Sequence, residues 1–507
     1  MNRNRNRNRN RSLRLFGFVA VIAIVLAVTW PGRRTAPAAG TTPRDHLLLY
    51  CAAGIRDPIQ SIIADYAKEC GVTVDVQYGG SGTLLSNLEV ARRGDLYLAA
   101  DAKHMEQAST RGLVHETIPL ARQHLVLAVK RGNPAGVHSL ADLVRPGLRV
   151  AYANPEVASA GKAIRAVLEK ANLWEQAHGQ AAVFKPTVND VVNDVVLGAV
   201  DVGVVWDPLV ASHPQLEAVK IPELTARREE IRIGVLDSST QPTQALHFAR
   251  YLSARDRGLA TFTHFGYLAE SGDRWEDHPA LTLYSGGVNR VAIQETLRDF
   301  ERREGCTIRV NYNGCGILLA QMKALPDGDA FPDAYLACDV SFLDPIADRF
   351  GDRTLLSQTE VVILVPMANP HGIKRLNDLA KPELRIGLCN AEQSTLGALT
   401  QRMLSKLDLV ATIEPNVRSR TPTADLLVTQ LDTGSLDAVV VYRANATAVL
   451  DRHTAMSINL PEARAVQPYA VAKQAQHAQL ATRLLTALDG ATSRRRYLAA
   501  GFTAPIP

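Results

Sequence analysis

The six cysteines, Cys51, Cys70, Cys306, Cys315, Cys338 and Cys389, include no C-x-x-C pair, so no compact metal-ligand spacing is present. G-x-S-x-G, H-E-x-x-H and the P-loop are missing too, and with them the common signatures of serine hydrolases, zinc proteases and nucleotide-binding enzymes. The thirteen histidines are scattered, and His104 and His124 read as surface residues. Residues 1–38 contain no acid but eight arginines, and setting those eight aside turns the formal net charge of +5 into −3. The remainder therefore offers no basic surface for nucleic acid. No cysteine follows directly on the N-terminal apolar run, which argues against a lipid-modified N-terminus. These absences leave neither a nucleophile–base pair nor a metal set. A binding role without a cofactor is expected rather than an enzymatic one.

What is present begins with an alternating Asn-Arg tract, and residues 1–14 are expected to be a basic, disordered N-terminus. Residues 15–30 are apolar, followed by Pro31-Gly32-Arg33-Arg34 and Ala36-Pro37-Ala38-Ala39, with residues 31–43 as a linker. A basic region, an apolar region and an A-x-A-like site are the parts of an export signal, and the same run could remain as a membrane anchor. Six arginines ahead of it would hold the N-terminus inside and send the rest across the membrane, to the periplasm or cell surface.

From His46 onward, β-like and helical segments alternate. Strands are expected near 47–51, 72–76, 96–100, 125–129, 148–151, 182–184, 202–206 and 231–236, with helices near 57–70, 84–92, 159–171 and 189–197. Such alternation implies parallel sheets with helices on their faces, and the turn cluster Gly132-Asn133-Pro134 suggests a crossing to a second lobe. The polar run 273–279 reads as a linker between a domain at 44–272 and another at 280–507.

Five blocks recur in order at offsets of 234 to 238 residues. Leu47-Leu48-Leu49-Tyr50 returns as Leu281-Thr282-Leu283-Tyr284, and Tyr78-Gly79-Gly80-Ser81-Gly82 as Tyr312-Asn313-Gly314-Cys315-Gly316. Asp95 to Asp101 returns as Asp333 to Asp339, Gly132 to Leu143 as Ala368 to Leu379, and Val202 to Trp206 as Ala438 to Tyr442. A period this long means two whole domains rather than a solenoid.

The Tyr-Gly-Gly-Ser-Gly-Thr-Leu cradle, the strand ending Tyr50-Cys51-Ala52-Ala53-Gly54, Asp95 to Asp101 and Asp201 to Trp206 resemble the periplasmic solute-binding proteins of ABC transporters, of the molybdate/tungstate-binding type. The resemblance implies an α/β fold of two tandem periplasmic-binding-protein-like domains, each of two α/β lobes joined by crossing hinge strands. It also implies a tetrahedral oxyanion held by hydroxyls and helix-start amides, and an ABC permease as partner. Position by position, the ligand contacts fall on Gly54, Ser81, Ala160, Val188 and Trp206. In the second half they fall on Val288, Cys315, Leu396, Ala424 and Tyr442.

Cys315, Cys338 and Cys389 each fall at a strand end or helix start on the side of the second cleft. Thiolates there suit a soft metal, while the plainer reading is buried packing, because no histidine falls at a fitting position. Six cysteines allow fifteen disulfide connectivities, and none is singled out. Asp101 and Asp339 read as caps of the elements that follow them. The expected function is an extracytoplasmic oxyanion-binding protein feeding an ABC transporter, with binding mainly in the first half. The alternative is a membrane-tethered, non-catalytic sensory or structural ectodomain with one or both clefts degenerate.

Overall fold

The computed structural model describes residues 46–505. The expected signal or anchor at 15–30 lies outside the described residues, and among these no helix is long and apolar enough to cross a membrane. Three sheets organise the chain. A six-stranded sheet runs Leu268–Ala269, Val114–Gln123, Glu229–Leu236, Leu96–Ala99, His46–Ala52, Thr73–Gly79. A five-stranded sheet runs Val183–Lys185, Val150–Ala153, Val202–Trp206, Leu125–Lys130, Leu216–Val219. The nine-stranded sheet belongs wholly to residues 280–471.

The sheets are mixed rather than parallel. Glu229–Leu236 runs antiparallel to both of its neighbours, and Leu125–Lys130 does the same in the second lobe. These are the strands by which the chain changes lobe, and a strand that crosses and returns must oppose its neighbours. The crossing lies earlier than Gly132-Asn133-Pro134. Val114–Gln123 ends in the first sheet and Leu125–Lys130 starts in the second, so the change of lobe falls at His124. That residue is pinned, its amide donating to Asp207 Oδ1 at 2.8 Å while the Asp207 amide donates to its carbonyl at 2.9 Å.

The second half makes the same crossing with one unbroken strand, Thr354–Pro366. Its first part pairs with Arg464–Val471 and its last part with Ala438–Tyr442 and His453–Ser457. The core differs accordingly. In the first half separate apolar clusters fill the two lobes, whereas in the second half one continuous cluster spans both.

The duplication reaches individual hydrogen bonds. Asp95 accepts the Leu48 amide as Asp333 accepts the Thr282 amide. Arg149 pairs with Asp201 as Arg385 pairs with Asp437, and the Asn133 side chain bridges to Val137 as Asn369 does to Ile373. The run 273–279 is packed rather than free. Asp273 accepts the Gln479 and Leu480 amides, and Trp275 lies edge-on to His247 and Tyr251.

Candidate functional site

In the first half the helix Ser81–Ala91 starts one turn earlier than its apolar pattern suggests, with Gly80 as N-cap and Ser81 as its first residue. Ser81 is therefore not the cap. Its side chain is 1 % exposed, and its hydroxyl oxygen accepts the Ala100 amide at 3.2 Å, which leaves the hydroxyl proton to donate elsewhere. Tyr97 fixes the same turn by donating to the Ser81 carbonyl at 2.9 Å.

The facing lobe presents two more helix starts, Ser159–Lys170 and Val188–Leu197. Ala160 and Val188 both lie buried in these first turns, and Thr187 caps the second helix through a reciprocal bond pair with Asp190. Trp206 ends its strand fully buried. Gly54 lies in the 3-10 turn Ala53–Ile55, where a Cβ would fall 3.0 Å from Val188 Cγ1 and 3.4 Å from Trp206 Cδ1. Gly54, Val188 and Trp206 thus converge across the lobes. Tyr267, which the sequence reading passes over, pins this turn by donating its hydroxyl to the Gly54 carbonyl at 2.8 Å.

The lobes meet at the cradle. Gly82 donates its amide to the Val157 carbonyl at 3.1 Å, and a Cβ on Gly80 would lie 2.4 Å from that oxygen and 3.2 Å from the Pro186 carbonyl. The loops leading to Ala160 and to Val188 therefore both rest on Gly80, beside Ser81. Helix starts of ten or more residues carry unpaired amides and a favourable dipole, so their convergence suits a small anion.

His104 corrects the sequence reading, since it is 4 % exposed rather than a surface residue. Its Nδ1 lies 2.6 Å from Asp101 Oδ2, and its Nε2 would lie 3.3 Å from a Cβ on Gly82, which places it at the seam between the lobes. Asp101 also accepts the His104 amide, and Asp339 accepts the Ser341 amide, the capping roles expected of both.

In the second half the seam is repeated, with the Gly316 amide donating to the Gln393 carbonyl at 3.1 Å. Val288, Leu396 and Ala424 are buried at the corresponding turn and helix starts. Tyr442 is buried at its strand end, with a hydroxyl that has no hydrogen-bond partner. Cys315 opens the helix Cys315–Ala324, its sulfur turned to Cys338. Burial pushes the Cys389 thiol up to about 11, and Thr421 lies 3.8 Å from it. No group of three or more His, Cys, Asp or Glu arranged to hold a metal ion occurs among the described residues.

The family described as bacterial extracellular solute-binding protein matches this chain twice, over residues 47–268 and 281–503. The chain belongs to that family. Both matches cover a complete set of two lobes, so the family's fold is present in tandem. A molybdate-binding protein ModA of Mycobacterium bovis is 28% identical over 224 residues, covering 43% of this chain and 84% of that protein. A binding protein of Haemophilus influenzae is 27% identical over 227 residues, covering 44% of this chain and 90% of its own. The solved periplasmic molybdate-binding protein of Azotobacter vinelandii matches 44% of this chain and 100% of its own, at 20% identity and a TM-score of 0.40.

Proposed function

We propose that this tandem protein is an extracytoplasmic receptor whose first half, residues 44–272, binds a small tetrahedral oxyanion of the molybdate or tungstate kind and delivers it unchanged to an ABC permease. The observation that carries the reading is the convergence of Gly54, Val188 and Trp206 beside the Ser81 and Ala160 helix starts. The helix-start amides and the Ser81 hydroxyl proton would supply the donors a dianion requires, since donors in a dry cleft are stronger than in water. The ModA relatives favour molybdate as the ion to test first.

For the second half, residues 280–507, a packed, non-transporting role is favoured by one observation. The position matching Ser81 is Cys315, a weaker donor whose sulfur is turned to Cys338. Isothermal titration of the full chain with molybdate, tungstate, sulfate and phosphate tests both statements. One site per chain for molybdate or tungstate is expected. No heat with any of the four ions would overturn the oxyanion reading, and two equivalent sites would overturn the asymmetry.

A further inference from the structure

The two halves differ at a pair of residues that touch. In the first half the Ser81 hydroxyl oxygen accepts the Ala100 amide at 3.2 Å. In the second half the matching residues are both cysteine, and the Cys315 sulfur accepts the Cys338 amide at the same 3.2 Å. The two sulfurs lie 3.0 Å apart.

The backbone is shaped around this pair. A Cβ on Gly286 would fall 2.1 Å from the Cys338 sulfur and 2.9 Å from the Cys315 sulfur, so no larger residue fits beside the thiols. Neither cysteine is open to solvent, at 0 % and 5 % exposure. Cys389, the remaining thiol on this side, faces Thr421 instead, and Cys51 in the first half faces a backbone carbonyl.

We propose that Cys315 and Cys338 are a redox-active dithiol that closes into a disulfide at the second cleft, oxidised by a disulfide-bearing thiol carrier before the two lobes of this half close. The sulfurs need approach by only about 1 Å to reach the ~2.05 Å of a disulfide bond. In the closed form the Gln393 carbonyl covers the helix start through the Gly316 amide, which is why oxidation belongs to the parted or still-folding chain.

The Cys315 thiolate attacks one sulfur of the carrier's disulfide, forming a mixed disulfide and expelling a carrier thiolate. The Cys338 thiolate then attacks the Cys315 sulfur of that mixed disulfide, forming the internal bond and expelling the second carrier thiolate. The two protons lost by the cysteines end on the carrier, which leaves as a dithiol carrying the two electrons. Cys315 is the fitting first nucleophile. It opens the helix Cys315–Ala324, whose amides and dipole favour a thiolate, and that helix lies within one lobe and does not depend on lobe closure.

Oxidation would replace a potential sulfur anion by a neutral bridge where the first half presents the Ser81 hydroxyl. The redox state would then decide whether the second cradle holds a thiol pair or a neutral cross-link.

The test uses the full chain, reduced in urea and diluted into refolding buffer with oxidised glutathione, then quenched in acid, unfolded and alkylated with N-ethylmaleimide. A digest should contain a peptide linking Cys315 to Cys338, absent after reduction, with the other four of the six cysteines outside that link. Cys315→Ser and Cys338→Ser should each abolish it without a substitute link forming. A chain that refolds with both cysteines free, or a dominant link joining either to another cysteine, would overturn the proposal.

Discussion

At the scale of single residues, Ser81 carries the most testable burden. Its hydroxyl satisfies the buried Ala100 amide and still has a proton to give, so removing it costs a partner on one side and a ligand donor on the other. Ser81→Ala should weaken oxyanion binding by about 1–3 kcal/mol, roughly fivefold to 150-fold, in isothermal titration. Unchanged affinity would remove Ser81 from the site. The residue's identity and place in the cradle are legible from the sequence, because glycines flanking a serine at a strand–helix junction are a local signal. Its acceptor role is not, since Ala100 lies in another element and only packing brings the two together. His104 was misread for the same reason. Nothing local distinguishes a histidine three residues after a capping aspartate from one facing solvent, and only the folded chain sets its ring beside Asp101 and the Gly82 turn.

At the scale of elements, the seam and the hinge decide how the first cleft works. Gly80 admits no side chain against the Val157 carbonyl, so Gly80→Ala should hold the lobes apart without unfolding either core. Loss of oxyanion affinity at an unchanged far-ultraviolet spectrum, with an increased radius of gyration in solution scattering, is the expected outcome. A closed particle with native affinity would show that the seam does not gate the site. The hinge differs between the halves, turning at the single residue His124 in the first and following the unbroken strand Thr354–Pro366 in the second. In the first half Asp207 bonds the backbone of His124, while at the matching place in the second Arg443 pairs with Glu360 at 3.0 Å. Amides around His124 should exchange hydrogen faster than those of Thr359 to Val361, and adding ligand should slow the former more. Equal protection would contradict a mobile first half beside a stiff second one. The sequence-based elements pass over Val114–Gln123, which carries Pro119 inside it and so reads against a central strand. The structure accommodates this proline opposite Arg232, next to a register shift in the partner strand.

At the scale of the whole molecule, the halves are joined by more than a linker. Glu304 is buried between Arg483, which forks onto it at 2.7 and 3.0 Å, and Arg250 from the first half, whose guanidinium bonds the Glu304 carbonyl. Glu304→Gln leaves two buried guanidinium groups without their counter-ion and should cost about 3–5 kcal/mol, seen as a lower midpoint in urea. A second clasp links Glu116 of the first half to Arg303 of the second at 2.7 and 2.8 Å. Burial alone would raise the Glu116 carboxyl, but hydrogen bonds from His115 and Arg303 outweigh it and hold it at about 2, below its ordinary 4.5. Because the folded value is depressed, this contribution is fully present above about pH 4.5 and is lost as pH falls toward 2. Urea midpoints should therefore drop between pH 5 and pH 3 by less in Glu116→Gln than in the native chain. Equal slopes would dismiss the clasp as a source of acid sensitivity.

The Gly80-Ser81-Gly82 and Gly314-Cys315-Gly316 cradles, the order of elements around them and the two-fold repetition were determined by the sequence alone. Hydrophobic period, turn residues and block recurrence are written in neighbouring positions and survive without coordinates. The tertiary structure alone decided where the chain changes lobe, which helix starts meet, and that the halves are clasped through Glu304 and Glu116. It also decided that the second cradle's cysteine lies against Cys338, 23 residues away. Those contacts depend on strand register and on the packing of one lobe against the other, and no local pattern specifies either.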